Sequence, residues 1–228
     1  MTEPTPHPVD ALLLMAPGCS HCPVVMEGLT RLIKEGRLAR LEIVNIQQAP
    51  ETASELGVRS VPWCRIGPFE LEGEQGFGEL SRWAGHAAAG TGLTEYYAHL
   101  LEHRRSHRVE EMIRQQPETL SDLILLLSSL DTPLVVRIGV GAVLEELAER
   151  GELRPAVDEL AALTRSDEPQ IRADAAHYLS LTGDRAAIDP LRRLLDDPDA
   201  EVREIAAESL AVLETGAGHE RETTRQGT

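Results

Sequence analysis

Two cysteines separated by two residues are the feature of the sequence that says most about chemistry. Cys19 and Cys22 enclose Ser20 and His21 in the motif Cys-Ser-His-Cys. Disulfide exchange requires a thiolate, and a free cysteine near neutral pH is mostly protonated. A helix that begins at the motif would offer unpaired backbone N–H groups and the positive end of its dipole, which stabilise a sulfur anion. We therefore interpret Cys19 as the attacking thiolate and Cys22 as the thiol that resolves the mixed disulfide.

The residues around the motif predict the elements that would position it. Residues 9–16 form an apolar run typical of a buried strand, and residues 24–36 have helical periodicity that ends at Gly36. A second strand, a short helix, two short strands around Gly67-Pro68 and a helix over residues 77–86 are predicted to follow. The predicted order is β-α-β-α-β-β-α.

With Cys-x-x-Cys at its first strand-to-helix turn, this order resembles the thioredoxin family over residues 9–90. The stretch NIQQAPETASELGVRSVP is similar to the family segment that leads through a short helix to a cis-proline, here Pro62. The resemblance implies an α/β thioredoxin-like fold and thiol-disulfide exchange, with Pro62 beside the sulfurs and its backbone neighbours pairing with a substrate protein. It implies no bound cofactor, because the sulfurs themselves carry the electrons.

The residues between the cysteines predict the direction in which the redox potential is tuned. His21 before the second cysteine resembles the DsbA-type oxidants, where the histidine stabilises the thiolate, and Ser20-His21 replaces the Gly-Pro pair of reducing thioredoxins. A potential less reducing than that of thioredoxin is therefore expected. Two positions depart from the family: Leu13 replaces its buried aspartate, and Gly18 replaces its usual tryptophan.

Other interpretations of the cysteines remain open. The motif could be half of a zinc or copper site that also uses histidines, or a redox sensor that switches the binding of a partner. Cys64, two residues after Pro62, is expected to be a small buried side chain, with a third redox role as the alternative.

Residues 91–117 predict a connecting helix. No helix-breaking residue lies between Leu93 and Gln116, so His99, His103 and His107 would share one face at i, i+4 and i+8. An exposed polar face is the favoured interpretation, and His99 and His103 are candidate zinc or copper ligands in the alternative one.

Residues 118–214 contain an internal repeat. Residues 156–160 align with residues 187–191, and Ile171-Arg172 aligns with Val202-Arg203 at the same offset. Each unit predicts a helix, an acidic turn and a second helix that opens with an apolar-Arg pair. This pattern resembles the short bacterial type of HEAT repeats, in about three copies. The resemblance implies an all-α region that binds a protein, with arginines that reach a neighbouring acidic turn; a stabilising appendage without a partner is the alternative interpretation. The acidic residues of the turns are expected to cap the second helices.

Charge and hydropathy predict the remaining properties. The net charge is −16, which disfavours nucleic-acid binding, and most of it lies in the repeat region, where a basic protein partner is one interpretation and a solvated surface the other. No apolar run is long enough to cross a membrane and no basic residue precedes Arg31, so a cytoplasmic protein without membrane contact is expected. Residues 1–8 are expected to be flexible, and residues 215–228 to be a disordered tail.

Overall fold

The computed structural model describes the backbone of residues 8–225 and the side chains of residues 8–215. The chain divides into two compact units between Gly92 and Leu93. The flexible segment predicted for residues 1–8 lies, except for its last residue, outside the described residues.

The first unit contains its strands and helices in the predicted order. Its elements are β1 (Asp10–Met15), α1 (Cys22–Lys34), β2 (Arg40–Asn45), α2 (Pro50–Glu55), β3 (Trp63–Ile66), β4 (Phe69–Glu72) and α3 (Phe77–Ala89). The sheet order is β2-β1-β3-β4, in which β2 runs parallel to β1 while β3 is antiparallel to both β1 and β4. The α/β fold predicted for this unit is confirmed.

Strand β1 is central in the sheet, and its residues Ala11, Leu13 and Leu14 are buried. Leu13 pairs with Cys64 in β3, and Leu14 pairs with Trp63, so the two rows of side chains point to opposite faces of the sheet. Leu14 and Trp63 pack with Ala53 of α2 on one face. This packing fixes the end of β1, where the Cys-x-x-Cys loop begins.

The second unit opens with two helices where the sequence predicts one. Helix α4 spans Leu93–Glu102 and α5 spans Ser106–Gln115. The helix ends because Arg104 takes a left-handed conformation, with φ of 58°, and the Arg105 N–H bonds back to the Leu100 carbonyl at 2.8 Å. The break lets both helices pack against α7 (Leu134–Glu149), so the prediction of one connecting helix is wrong.

Three helix pairs follow. They are built from α6 (Leu120–Leu125), α7 (Leu134–Glu149), α8 (Val157–Leu163), α9 (Pro169–Leu181), α10 (Ile188–Leu194) and α11 (Ala200–Arg225). Short 3₁₀ segments lie at Pro117–Thr119, Leu126–Ser128, Arg154–Ala156 and Arg185–Ala187. Ala175, Ala176 and Ala206 are fully buried, because small side chains let α9 and α11 approach closely.

The arginines of the apolar-Arg pairs link successive repeats. Arg172 donates two hydrogen bonds of 2.8 Å to the carboxylate of Asp197 in the next acidic turn, and it also bonds the Ser166 and Asp167 carbonyls of its own turn. Arg137 makes a single contact with the carboxylate of Asp174, which lies on α9 rather than in a turn. Successive repeats are therefore joined by ion pairs as well as by apolar packing.

The acidic turns cap only one of the second helices with a side chain. Asp199 accepts hydrogen bonds from the N–H groups of Glu201 and Val202 at 2.9 and 3.3 Å, which is the predicted cap of α11. Helices α7 and α9 begin after Pro133 and Glu168 without such a bond, so the prediction is wrong for them. Pro133, which precedes α7, has no side-chain atom that can accept a hydrogen bond. In these two turns the side chains of Arg137 and Arg172 bind backbone carbonyls.

The C-terminal segment differs from the predicted disordered tail. Helix α11 continues to Arg225, so most of residues 215–228 have a helical backbone, and residues 226–228 lie outside the described residues. Glutamate and arginine are good helix formers and no proline interrupts the segment, which allows the helix to continue. Within the part of the chain that the structure describes, no helix is both long and apolar enough to cross a membrane.

Candidate functional site

The two motif cysteines meet at the end of β1. Cys19 and Cys22 form a disulfide with their Cα atoms 5.5 Å apart, which is an ordinary separation for this bond. Cys22 is buried, whereas Cys19 is only half-buried and so is the sulfur that a second protein can approach. This difference in access agrees with the assignment of Cys19 as the attacking residue.

The start of α1 acts on Cys19 through the backbone of Cys22. Helix α1 begins at Cys22, so Cys19 lies just before the helix N-terminus, three residues ahead of its first residue. The Cys22 N–H nevertheless points at the Cys19 sulfur, with N and Sγ 3.2 Å apart. This N–H is one of the donors of the first helical turn that have no carbonyl partner within the helix, so it is available to the sulfur.

The loop before β3 forms the opposite wall of the site. The Val61–Pro62 peptide bond is cis, as the resemblance implies, and Pro62 is buried. The Val61 carbonyl oxygen lies 3.7 Å from the Cys19 sulfur. The backbone just before Pro62 is therefore beside the sulfur, where an extended substrate segment could pair with it.

His21 contacts a carboxylate that the sequence did not single out. Its Nδ1 lies against an Oε atom of Glu74, in the loop between β4 and α3, and both side chains are largely exposed. Ser20 is exposed beside it. The separation of 53 positions between His21 and Glu74 carries no local sequence signal. The pairing of β1 with β3 and of β3 with β4 places the loops after β1 and after β4 at the same edge of the sheet, where the two residues meet.

Cys64 and Leu13 lie in the core beneath the site. Cys64 is buried on β3 between Leu13 and Leu71, as expected for a small apolar side chain. Burial, and to a smaller extent the charge of Glu79, raises the pKa of the Cys64 thiol to about 12. Leu13 is fully buried at the position where thioredoxins carry an aspartate. Cys64 is therefore a protonated thiol near neutral pH.

The histidines of the second unit do not form the predicted three-residue face. His99 lies on α4 and His103 in the turn that follows it, with ring centroids 4.3 Å apart, and His103 Nδ1 donates to the His99 carbonyl at 2.8 Å. His107 belongs to α5, beyond the break at Arg104, so the prediction of one shared face is wrong. Among the described residues, no group of three or more His, Cys, Asp or Glu side chains is arranged to hold a metal ion.

Comparison with known protein families identifies both halves of the chain. A thioredoxin domain model matches residues 11–80, and a model of HEAT repeats matches residues 120–211. The chain joins a thioredoxin-like domain to HEAT repeats. No curated protein matches the chain.

The thioredoxin-like domain contains the whole candidate site, because the cysteines, Pro62 and Glu74 all lie within the matched residues. The chain is thus a redox-type domain followed by a repeat region. HEAT repeats are in general protein-interaction modules, so a protein partner in the broad sense follows from the match.

Proposed function

We propose that the protein is a thiol-disulfide oxidoreductase whose thioredoxin-like domain, within residues 9–90, exchanges disulfides with a protein selected by the HEAT repeats of residues 118–214. The observation that carries this proposal is the Cys22 N–H directed at the accessible Cys19 sulfur. A donor aimed at the sulfur stabilises the thiolate more than the thiol, which lowers the pKa of a nucleophilic cysteine.

The reaction proceeds in two exchanges on the sulfurs. In the reducing direction, the Cys19 thiolate attacks one sulfur of a substrate disulfide, the substrate S–S bond breaks, and the departing sulfur leaves as a thiolate that takes up a proton. Cys22, after losing its proton, attacks the Cys19 sulfur and releases the second substrate thiolate. Two electrons pass from the cysteine pair to the substrate, and the reverse sequence oxidises a dithiol. The redox potentials of the partners set the direction.

Pro62, Ser20 and His21 have supporting roles in this proposal. The backbone before Pro62 would pair with the substrate chain and hold its sulfur in line with Cys19, as the position of the Val61 carbonyl favours. Ser20 and His21 would tune the potential, since both are exposed next to the sulfurs. No cofactor takes part.

Turnover of insulin disulfides, measured together with the metal content of the reduced protein, tests the proposal. We expect turnover with dithiothreitol as electron donor and less than a stoichiometric amount of zinc or copper. A protein without turnover whose partner binding depends on oxidation would instead be a redox-sensing scaffold. Stoichiometric metal on the reduced cysteines would identify a metal-binding protein. Either of these results overturns the proposal.

The exposed face of α7 is the surface that we assign to the protein partner. Leu134 and Ile138 leave 71% and 65% of their surface exposed, and the same face continues to the exposed Glu145 and Glu149. With Val135 beside them, which is 46% exposed, they form an apolar patch on one helix, and contiguous patches of this kind mark surfaces that bind another protein. The acidic end of the face favours a partner segment that carries apolar side chains followed by lysine or arginine.

A pair of synthetic helical peptides tests this assignment. One peptide has leucines on one face followed by lysines, and the other has glutamates in place of the lysines. We expect the lysine peptide to bind and Leu134→Ser with Ile138→Ser to weaken it about tenfold, whereas Val212→Ser, at an exposed site on α11, leaves binding unchanged. Equal binding of both peptides, or a dimer that the α7 substitutions dissociate, contradicts the assignment.

A further inference from the structure

The loop between β4 and α3 contacts both walls of the candidate site. The Gly73 N–H donates a 2.9 Å hydrogen bond to the Pro62 carbonyl, and the next residue, Glu74, contacts His21 in the Cys-x-x-Cys loop. Gln75 is buried and its amide donates to the Glu72 carbonyl at 2.9 Å. The residues on either side of Glu74 are thus fixed, and its carboxylate is held toward His21.

We propose that Glu74 is a positioning residue that sets the redox equilibrium of the cysteine pair by acting through His21. This inference rests on the proposed function and names a regulator of the same site. The sequence motif suggests an imidazole free to stabilise the thiolate. The structure instead gives the imidazole a carboxylate partner, supplied by a loop 53 positions away.

The effect follows from charge and orientation. A cationic imidazole near Cys19 favours the thiolate, because opposite charges stabilise each other. The Glu74 carboxylate offsets that positive charge, and its contact with Nδ1 keeps the ring directed toward the β4–α3 loop. Both consequences disfavour the thiolate, so Glu74 shifts the equilibrium toward the disulfide and makes the protein a weaker oxidant than its motif suggests.

The size of the effect is limited by solvent. The side chains of His21 and Glu74 are 62% and 48% exposed, and exposed ion pairs are screened by water. We expect Glu74→Gln to raise the equilibrium constant for reduction by glutathione about two- to fivefold. Such a change is smaller than the effect of removing a cysteine, yet it is large enough for a redox titration to measure.

The experiment is a redox titration of the full chain in glutathione buffers at pH 5.5, where histidine side chains are in general cationic. It compares wild type, Glu74→Gln, His21→Ala and the double variant, with Glu55→Gln as a control at an exposed carboxylate on α2. We expect the shift in Glu74→Gln, no shift in Glu55→Gln, and no further shift when Glu74→Gln is added to His21→Ala.

Two results overturn the inference. One is an equilibrium constant in Glu74→Gln equal to that of wild type, and the other is an undiminished shift in the His21→Ala background, which would mean that Glu74 does not act through His21. Wild-type turnover of insulin, measured on the same samples, separates the two levels of the account. If wild type shows no turnover, the proposed oxidoreductase activity itself is rejected. If wild type turns insulin over but Glu74→Gln has the wild-type equilibrium constant, only the role of Glu74 is rejected.

Discussion

Cys19→Ser is expected to lower the turnover of a protein disulfide by on the order of a thousandfold or more, because a hydroxyl cannot replace the attacking thiolate. Cys22→Ser is expected to stop turnover in a different way. Its Cys19 can still attack, but no second thiol resolves the product, so a mixed disulfide with the substrate accumulates. Mass spectrometry of the intact protein after incubation with oxidised glutathione measures this adduct.

Cys64→Ser is the matched control for both cysteine variants. Its thiol is buried and its pKa is raised to about 12, so it contributes no thiolate near neutral pH. We expect its turnover to stay close to that of wild type. An adduct on Cys19→Ser, or loss of turnover in Cys64→Ser with the fold intact, contradicts the assignment of Cys19 as the nucleophile.

Arg172→Ala is expected to destabilise the repeat region by about 3 kcal/mol. The side chains of Arg172 and Asp197 are only 10% and 5% exposed, and two hydrogen bonds of 2.8 Å join them. Truncation of the arginine leaves the Asp197 carboxylate shielded from water without its cationic partner, which is the costly way to break such a pair. Urea unfolding followed by far-UV circular dichroism measures the loss.

Arg203→Ala is the control, because Arg203 occupies the equivalent position in the next repeat and binds the Asp197 and Pro198 carbonyls at 2.7 and 3.0 Å. It leaves no shielded charge unpaired, so a smaller loss of about 1 kcal/mol is expected. Equal losses of unfolding free energy in the two variants would show that the ion pair between Arg172 and Asp197 adds nothing beyond the hydrogen bonds to backbone carbonyls.

The pH dependence of the Arg172→Ala effect has a defined sign. The hydrogen bond from Arg172 is the main cause that lowers the pKa of Asp197. A lowered carboxyl pKa stabilises the fold above the ordinary aspartate pKa of about 4, and this stabilisation is lost as the pH falls through the lowered value. The difference in the free energy of unfolding between wild type and Arg172→Ala is therefore expected to be constant from about pH 5 to 8 and to become smaller below about pH 4.

Much of the fold is predictable because it depends on local patterns. The apolar run of β1, the Cys-x-x-Cys turn and the Val-Pro before β3 are each short segments with their own signals. The repeat is visible because identical packing contacts recur at a fixed spacing, so that Arg172 and Arg203 meet similar turns. These features need no information about distant residues.

The features that the sequence hides depend on tertiary contacts. The break at Arg104 has neither glycine nor proline, and it forms because α4 and α5 both bury side chains against α7. A run of seven polar residues, 102–108, is the one signal that could have indicated it. Glu74 reaches His21 through the pairing of β1 with β3 and of β3 with β4, and a single sequence cannot report a contact across 53 positions.

The pKa of the Cys19 thiol tests the central claim most directly. The ultraviolet absorbance of the thiolate is followed from about pH 3 to 9 on the reduced protein, and the absorbance of the reduced Cys19→Ser variant at the same pH is subtracted. Cys64 does not interfere, because its pKa is about 12. The account predicts a Cys19 pKa well below the value of about 8.5 for a free cysteine, held there by the Cys22 N–H. A pKa at or above that ordinary value would contradict it.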